Sequence, residues 1–168
     1  MKITQAQLAG QLESGLQTFY WISGDEPLLV DESVDVVRRS CQKQGIIERD
    51  SIQADGQFNW QSLYESNQAI SLFGDRKLIE IRLHSKLNDA GKKALKAYLL
   101  NPNPDNVLLL VSPKIEASST KTKWFKDLEA QASWLPIWPI DLANLSGWLQ
   151  GRLQALGHSI DHDALSLL

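Results

Sequence analysis

With a single cysteine, Cys41, among 168 residues, the chain has no pair for a disulfide scaffold, which points to a reduced, cytoplasmic setting. A basic excess is missing as well. Seventeen Lys and Arg stand against 20 Asp and Glu, a formal net charge of -3, so no global field draws the chain to nucleic acid. No apolar run approaches the roughly 20 residues a membrane-spanning helix needs, and the first residues lack a signal-peptide core. Also lacking is a phosphate-binding loop, which needs closely spaced glycines, a lysine for the phosphates and a Ser or Thr for magnesium. The corresponding turn reads Gly24-Asp25-Glu26-Pro27-Leu28-Leu29. Its two carboxylates repel phosphate, and Pro27 removes an N–H donor. An acidic pair after the third predicted strand is absent too: Leu83-His84-Ser85-Lys86 stands there, and Glu80 lies mid-strand. These absences exclude ATP hydrolysis and imply no cofactor.

What is present is an alternation of strands and helices. Thr18 to Ser23, Arg49 to Ala54, Lys77 to Leu83, Val107 to Val111 and Trp134 to Trp138 read as strands. The second is polar enough for an edge, whereas Val107 to Val111 is aliphatic enough for a centre covered on both faces. Asp25 or Glu26 can cap a helix opened by Pro27 and stopped near Gly45, with Val30, Val34, Val37 and Cys41 on its apolar face. Further helices are expected over Asn59 to Ile70, with Trp60, Leu63, Tyr64 and Asn67 on one side, around Leu95, Tyr98 and Leu99, and around Trp124, Phe125 and Leu128. From Asp141 the pattern is purely helical, with Leu142, Leu145, Leu149 and Leu153 on one face. The reading is therefore an α/β fold, a mostly parallel sheet flanked by helices over residues 1-140, followed by the beginning of a helical second domain over 141-168.

Candidate chemistry is sparse. His158 and His162 are four apart beside Asp161 and Asp163, but a glycine turn and a helix start intervene, so they read as polar groups at a helix terminus and not as a metal site. His84 reads as solvated. The strongest candidate for DNA contact is Lys114 with Lys121, Lys123 and Lys126, interleaved with Trp124 and Phe125, although such a face is also what a solvated helix presents. The most informative stretch is Gln68-Ala69-Ile70-Ser71-Leu72-Phe73-Gly74-Asp75-Arg76, where apolar side chains run up to a glycine turn. Connections of this kind lie at surfaces, so Ile70, Leu72 and Phe73 read as a plug for another protein's pocket. The alternative is that Leu72 and Phe73 close the helix end onto the sheet.

Ile70-Ser71-Leu72-Phe73 resembles the apolar part of the motif by which bacterial replication proteins dock on the sliding DNA clamp, with Ala69 where a glutamine is usual and Gln68 one place earlier. Together with Leu16 to Ser33, which contains Gly24-Asp25-Glu26-Pro27-Leu28-Leu29, and with Asn106 to Val111, the chain resembles the amino-terminal part of the delta subunit family of bacterial DNA polymerase III. The resemblance implies an AAA+-like domain without nucleotide chemistry, followed by a small helical domain and then a collar region. It further implies a clamp-loader component, not itself an enzyme, within a complex that supports DNA polymerase activity. Its implied partners are the β sliding clamp, the delta prime and gamma/tau loader subunits, and primed DNA in the assembled loader. Ile70, Ser71, Leu72 and Phe73 would bind the clamp and help to open the ring. A nucleic-acid module built on Lys114 to Lys126, or an interaction domain retaining only the shape of a nucleotide-binding fold, are the alternatives.

Overall fold

The aliphatic run Val107 to Val111 forms the middle of the molecule's sheet, where the absence of polar side chains allows helices to cover both faces. The structure, a computed structural model, describes residues 1–69 and 76–165. In chain order these form α1 (Gln5–Ser14), β1 (Phe19–Ser23), α2 (Pro27–Lys43), β2 (Glu48–Ala54), α3 (Gln61–Gln68), β3 (Lys77–Leu83) and α4 (Asp89–Leu100). They continue with β4 (Asn106–Ser112), α5 (Ala117–Thr120), α6 (Lys123–Gln131), β5 (Ser133–Pro136), α7 (Leu142–Ala155) and α8 (His162–Leu165). The sheet runs β2-β3-β4-β1-β5 with every pairing parallel. The polar β2 lies at one edge, as its composition implies, and alternates between half-buried and exposed residues until Ala54. At the opposite edge, the main chain of residues 1–3 adds to β5. Trp134 N–H donates to Met1 O at 2.9 Å and Ile3 N–H to Trp134 O at 2.8 Å, so that edge is not left bare.

Period-two alternation sorts the strand side chains between two helical layers. Phe19 and Trp21 of β1, Ile79 and Ile81 of β3, and Leu108 and Leu110 of β4 join Leu63 of α3, Leu95 and Leu99 of α4, and Phe125 and Leu128 of α6 in one core. Two of the core indoles keep their polar ends paired, whereas the buried Trp60 Nε1 has no hydrogen-bond partner. Trp21 Nε1 donates to Ser112 Oγ at 3.0 Å and Trp134 Nε1 to Ser23 Oγ at 2.9 Å. On the other face lies α2, whose Val34, Val37 and Cys41 are fully buried. Burial pushes the Cys41 thiol up to about 11, which makes it a small core residue and a poor nucleophile.

Glu80, predicted mid-strand, carries the main polar contact between that face and α2. Its carboxylate has no exposed surface and accepts from Arg38 Nε at 2.8 Å and Nη2 at 2.7 Å, and from Arg82 Nε at 2.9 Å. Arg49 of β2 stands 3.8 Å away. Asp35 and Asp31 of α2 in turn pair with Arg38 at 2.9 Å and Arg82 at 2.8 Å. Burial alone would raise the Glu80 carboxyl, but hydrogen bonds from the two guanidiniums outweigh it and hold the group below its ordinary value.

Some sequence expectations are corrected. Tyr64 does not share the buried side of α3: Trp60, Leu63 and Asn67 turn inward while Tyr64 is 59% exposed, because the narrow inward face of a short helix follows i, i+3, i+7. Neither Asp25 nor Glu26 caps α2 through its side chain. Glu26 holds the N-cap position without a cap bond, and the Asp25 carboxylate instead accepts the Lys114 N–H at 3.0 Å. His84 is exposed, as its sequence context implies, and contacts Gln53 Oε1 at 2.9 Å. The helix α1 had no counterpart in the sequence reading. It buries only Leu8 and Leu12 and is closed at its start by the Thr4 N–H donating to Gln7 Oε1 at 3.0 Å. The last strand ends at Pro136, not at Trp138.

The described chain divides into two compact units, Met1–Ile137 and Trp138–Leu168. In the second, α7 buries none of its residues, and Leu142 is 82% exposed. The Arg152 guanidinium lies 4.6 Å from the Trp148 ring centroid. Asp161 Oδ1 accepts the Ala164 N–H at 2.7 Å and so caps α8, the polar role the sequence suggests for this turn. No helix among the described residues is long and apolar enough to cross a membrane.

Candidate functional site

All five strands are parallel, so the sheet has one end where strands begin and one where they finish. Crossover helices return the chain to the first end. The C-terminus of α3 and the start of β3 therefore lie at that end. Ile70, Ser71, Leu72 and Phe73 lie outside the described residues. Their stems, however, are well defined.

Upstream, Asn67 is 3% exposed. Its carbonyl accepts from Asn106 Nδ2 and Asn103 Nδ2, each at 3.2 Å, and its Oδ1 accepts from Asn106 Nδ2 at 3.3 Å. Asn106 is the first residue of β4, so this contact ties the last turn of α3 to the central strand. Two residues later Ala69, its N–H bonded to Glu65 O at 2.9 Å, turns to extended backbone and the helix stops. Downstream, Lys77 is the first residue of β3 and only 2% exposed, its ammonium paired with Asp50 Oδ2 of β2 at 3.0 Å. Two buried polar anchors thus flank the apolar stretch. A buried amide or ammonium is costly unless it is paired, so breaking either contact is penalised and both stems are held in place. The sequence reading placed Asn67 on the inner side of its helix but missed Asn103, Asn106 and the Lys77–Asp50 pair, because partners 27 to 39 residues apart leave no local pattern. Removing the Asn106 amide should cost about 1–3 kcal/mol through the unpaired Asn67 groups, so Asn106→Ala is expected to lower the urea midpoint by that equivalent.

At the strand-finish end, where a nucleotide site would open, the turn after β1 is filled by the chain itself. A Cβ on Gly24 would come within 2.7 Å of Ile137 Cβ and 2.8 Å of Ile137 O, and the Ile137 N–H donates to Ser23 O at 2.7 Å. Gly24 N–H donates to Ser112 O at 3.1 Å, and Asp25 is engaged by Lys114 N–H. Glycine is required here for close packing of the chain on itself; of the N–H groups of this turn, that of Gly24 is spent on Ser112 O and Pro27 has none. Among the described residues no cluster of His, Cys, Asp or Glu could hold a metal ion.

The four candidate DNA-contacting lysines are exposed but do not form one row. Lys114 follows β4, Lys121 ends α5, and Lys123 and Lys126 lie on α6. Lys123 instead shares a groove with Lys92 and Lys96 of α4, two lysines the sequence reading had not connected to it. Phe125 is turned into the core and Trp124 is half-buried against it.

Comparison with known proteins agrees with this architecture. DNA polymerase III subunit delta of Haemophilus influenzae is 29% identical over 170 residues, an alignment covering 99% of this chain and 49% of that protein. The Escherichia coli DNA polymerase III subunit delta is 27% identical over 169 residues, with 100% and 49% covered. The chain thus spans about half the length of the curated relatives it matches. Among solved structures, the Bacillus subtilis DNA clamp loader delta protein superposes with a TM-score of 0.69 at 16% identity, covering 95% of this chain and 50% of that one. A DNA polymerase III gamma subunit-related protein from Thermotoga maritima gives 0.51 at 13% identity, with 92% and 54% covered. At such identities these two speak for the fold, which is AAA+-like. The family model described as DNA polymerase III, delta subunit, matches residues 20–137, from the first strand through the last, and the chain belongs to that family.

Proposed function

We propose that this chain is the clamp-gripping part of a clamp-loader delta subunit, docking on the β sliding clamp through Ile70, Ser71, Leu72 and Phe73. The observation that carries the reading is the pair of polar anchors, Asn67–Asn106 and Lys77–Asp50, that hold the chain on either side of the apolar sequence Ile70-Ser71-Leu72-Phe73. Stems held in place lower the ordering cost of binding, which is where a short apolar contact otherwise loses affinity. In this reading Leu72 and Phe73 enter a hydrophobic pocket of the clamp, with Ile70 packed beside them.

Grip alone opens no ring. To shift a closed-to-open ratio from about 1:99 to 99:1, the subunit must favour the distorted clamp by roughly 5.5 kcal/mol. The surface of α3 beside the apolar stretch supplies that preference by pressing on the neighbouring clamp surface. No nucleotide is consumed by this chain, whose phosphate-loop position is closed by Gly24 and Ile137. ATP is bound and hydrolysed by gamma/tau partners, with delta prime completing the loader, to expose and then release the grip on primed DNA. Pull-down by purified β clamp tests the proposal: wild-type chain is retained, and the chain with Leu72→Ala and Phe73→Ala is not. The competing reading, a nucleic-acid module on Lys114, Lys121, Lys123 and Lys126, has less support because only Lys123 and Lys126 share an element, Lys114 following β4 and Lys121 following α5. Titration against primed DNA at low salt is expected to show no tight binding by the isolated chain. Strong binding that weakens steeply with salt would transfer the function to the lysines.

A further inference from the structure

Between α4 and α6 runs a groove of about 620 Å³, floored by Leu99, Leu128 and Trp124 and rimmed by Lys92 and Lys96 on one side and Lys123 on the other. Lys96 and Lys123 are exposed, and Leu100 at the end of the groove is 76% exposed. On a chain whose formal charge is -3, this is a local excess of positive charge over an apolar floor; Lys92 is already paired with Asp89 at 2.8 Å and Asp127 lies in the groove, so Lys96 and Lys123 present the charge. The half-buried ring of Trp124 is already engaged by the protein's own groups. Lys92 Nζ stands 5.4 Å from a Trp124 ring centroid, and the ring packs against Trp21 at 6.2 Å and edge-on to Phe125 at 6.0 Å. Binding of single-stranded nucleic acid relies on open aromatic faces, whereas an aliphatic floor receives branched side chains.

We propose that this groove seats a short amphipathic helix of a partner protein, with leucine-like side chains toward Leu99, Leu128 and Trp124 and acidic side chains toward Lys96 and Lys123. The groove follows α4 from Lys92 to Leu100 and α6 from Lys123 to Gln131, about 12 Å on each at 1.5 Å per residue, so the occupant is a segment of two to three turns. Lysine rims steer such a partner and fix its orientation, while the apolar floor supplies the residence time. The inference rests on α4 and α6 alone and stands independently of the clamp reading.

The probe is a capped 15-residue helical peptide with leucines at positions i, i+4, i+7 and i+11 and glutamates on the flanks, titrated into the whole chain by calorimetry. Saturable binding is expected, weakening about tenfold between low and high salt. The exposed-surface variant with Lys96→Glu and Lys123→Glu should lose at least about tenfold in affinity for this peptide, and should gain affinity for the same peptide with lysines in place of its glutamates. Equal binding of the acidic and basic peptides by the wild-type chain would overturn the proposal. So would indifference to the charge reversal, or tighter binding of an oligothymidylate than of the acidic peptide.

Discussion

Alanine at both Leu72 and Phe73 is expected to weaken binding to the β clamp by a factor of about a hundred to ten thousand, while leaving the denaturant midpoint of the chain nearly unchanged. The size follows from the chemistry of the two side chains. Burying each in a partner's pocket is worth about 1.5–3 kcal/mol, and such anchors, not the rim around them, dominate the energy of small interfaces. Two of them together give about 3–6 kcal/mol, and each 1.4 kcal/mol is tenfold in affinity. The pair of measurements separates two readings that the sequence alone leaves open. If Leu72 and Phe73 were core residues closing α3 onto the sheet, truncating them would instead cost about 2–5 kcal/mol each in folding, seen as a large drop in midpoint. A double variant that unfolds early would therefore withdraw the grip, and one that folds normally but escapes the clamp would support it. Phe73→Leu, which keeps most of the apolar volume, should retain an intermediate affinity.

The largest effect on folding is expected at Glu80. Replacing it by alanine leaves the guanidiniums of Arg38 and Arg82, each about three-quarters buried, facing each other beneath α2 without their common acceptor. Breaking a buried pair on one side costs about 3–5 kcal/mol, and here the partners' partial solvation and their second contacts to Asp35 and Asp31 favour the lower end. Measured by chemical denaturation, Glu80→Ala should consume a large part of a stability that for domains of this size is only about 5–15 kcal/mol.

The acid dependence gives an independent check. Burial raises the Glu80 carboxyl and the two guanidiniums more than reverse this, so its folded value lies below the unfolded one. A depressed carboxyl binds fewer protons in the native state. Its contribution is complete above the unfolded value of about 4.3 and is lost as pH falls through the folded value. The difference in unfolding free energy between wild type and Glu80→Gln should accordingly be full at neutral pH and shrink below about pH 4. A difference that persists unchanged into acid would mean that shape and hydrogen bonding, rather than charge, hold this site.

Strand and helix content was legible wherever one residue type dominated a segment. Leu78, Ile79 and Ile81 marked β3, Val107 to Val111 marked β4 as central, and the polar run from Arg49 marked β2 as an edge, because in a parallel sheet the degree of covering is written directly into composition. The helix α1 escaped because two leucines and a glycine-containing polar run do not exceed the background of a loop. Glu80 was visible as an oddity within a strand but not as the hub of an ion cluster. Its partners come from α2, β2 and its own strand, and only folding brings Arg38 within reach across 42 residues of chain. Likewise the lysine candidates were chosen by closeness in sequence, whereas the groove joins Lys123 to Lys92 and Lys96 of another helix.

By itself the sequence determined that the turn after the first strand lacks the phosphate-loop pattern and where the apolar stretch lies. Asp25, Glu26 and Pro27 in place of a lysine-bearing glycine loop, and Ile70-Ser71-Leu72-Phe73 ahead of Gly74, are local facts that need no third dimension. Only the tertiary structure decided how the stems of that stretch are held, through Asn67 with Asn106 and Lys77 with Asp50, and how Gly24 is closed off by Ile137. The reason is physical: a missing donor or a run of oily side chains is a property of neighbours along the chain, whereas a buried polar group is stable only beside a partner that the fold must deliver from elsewhere.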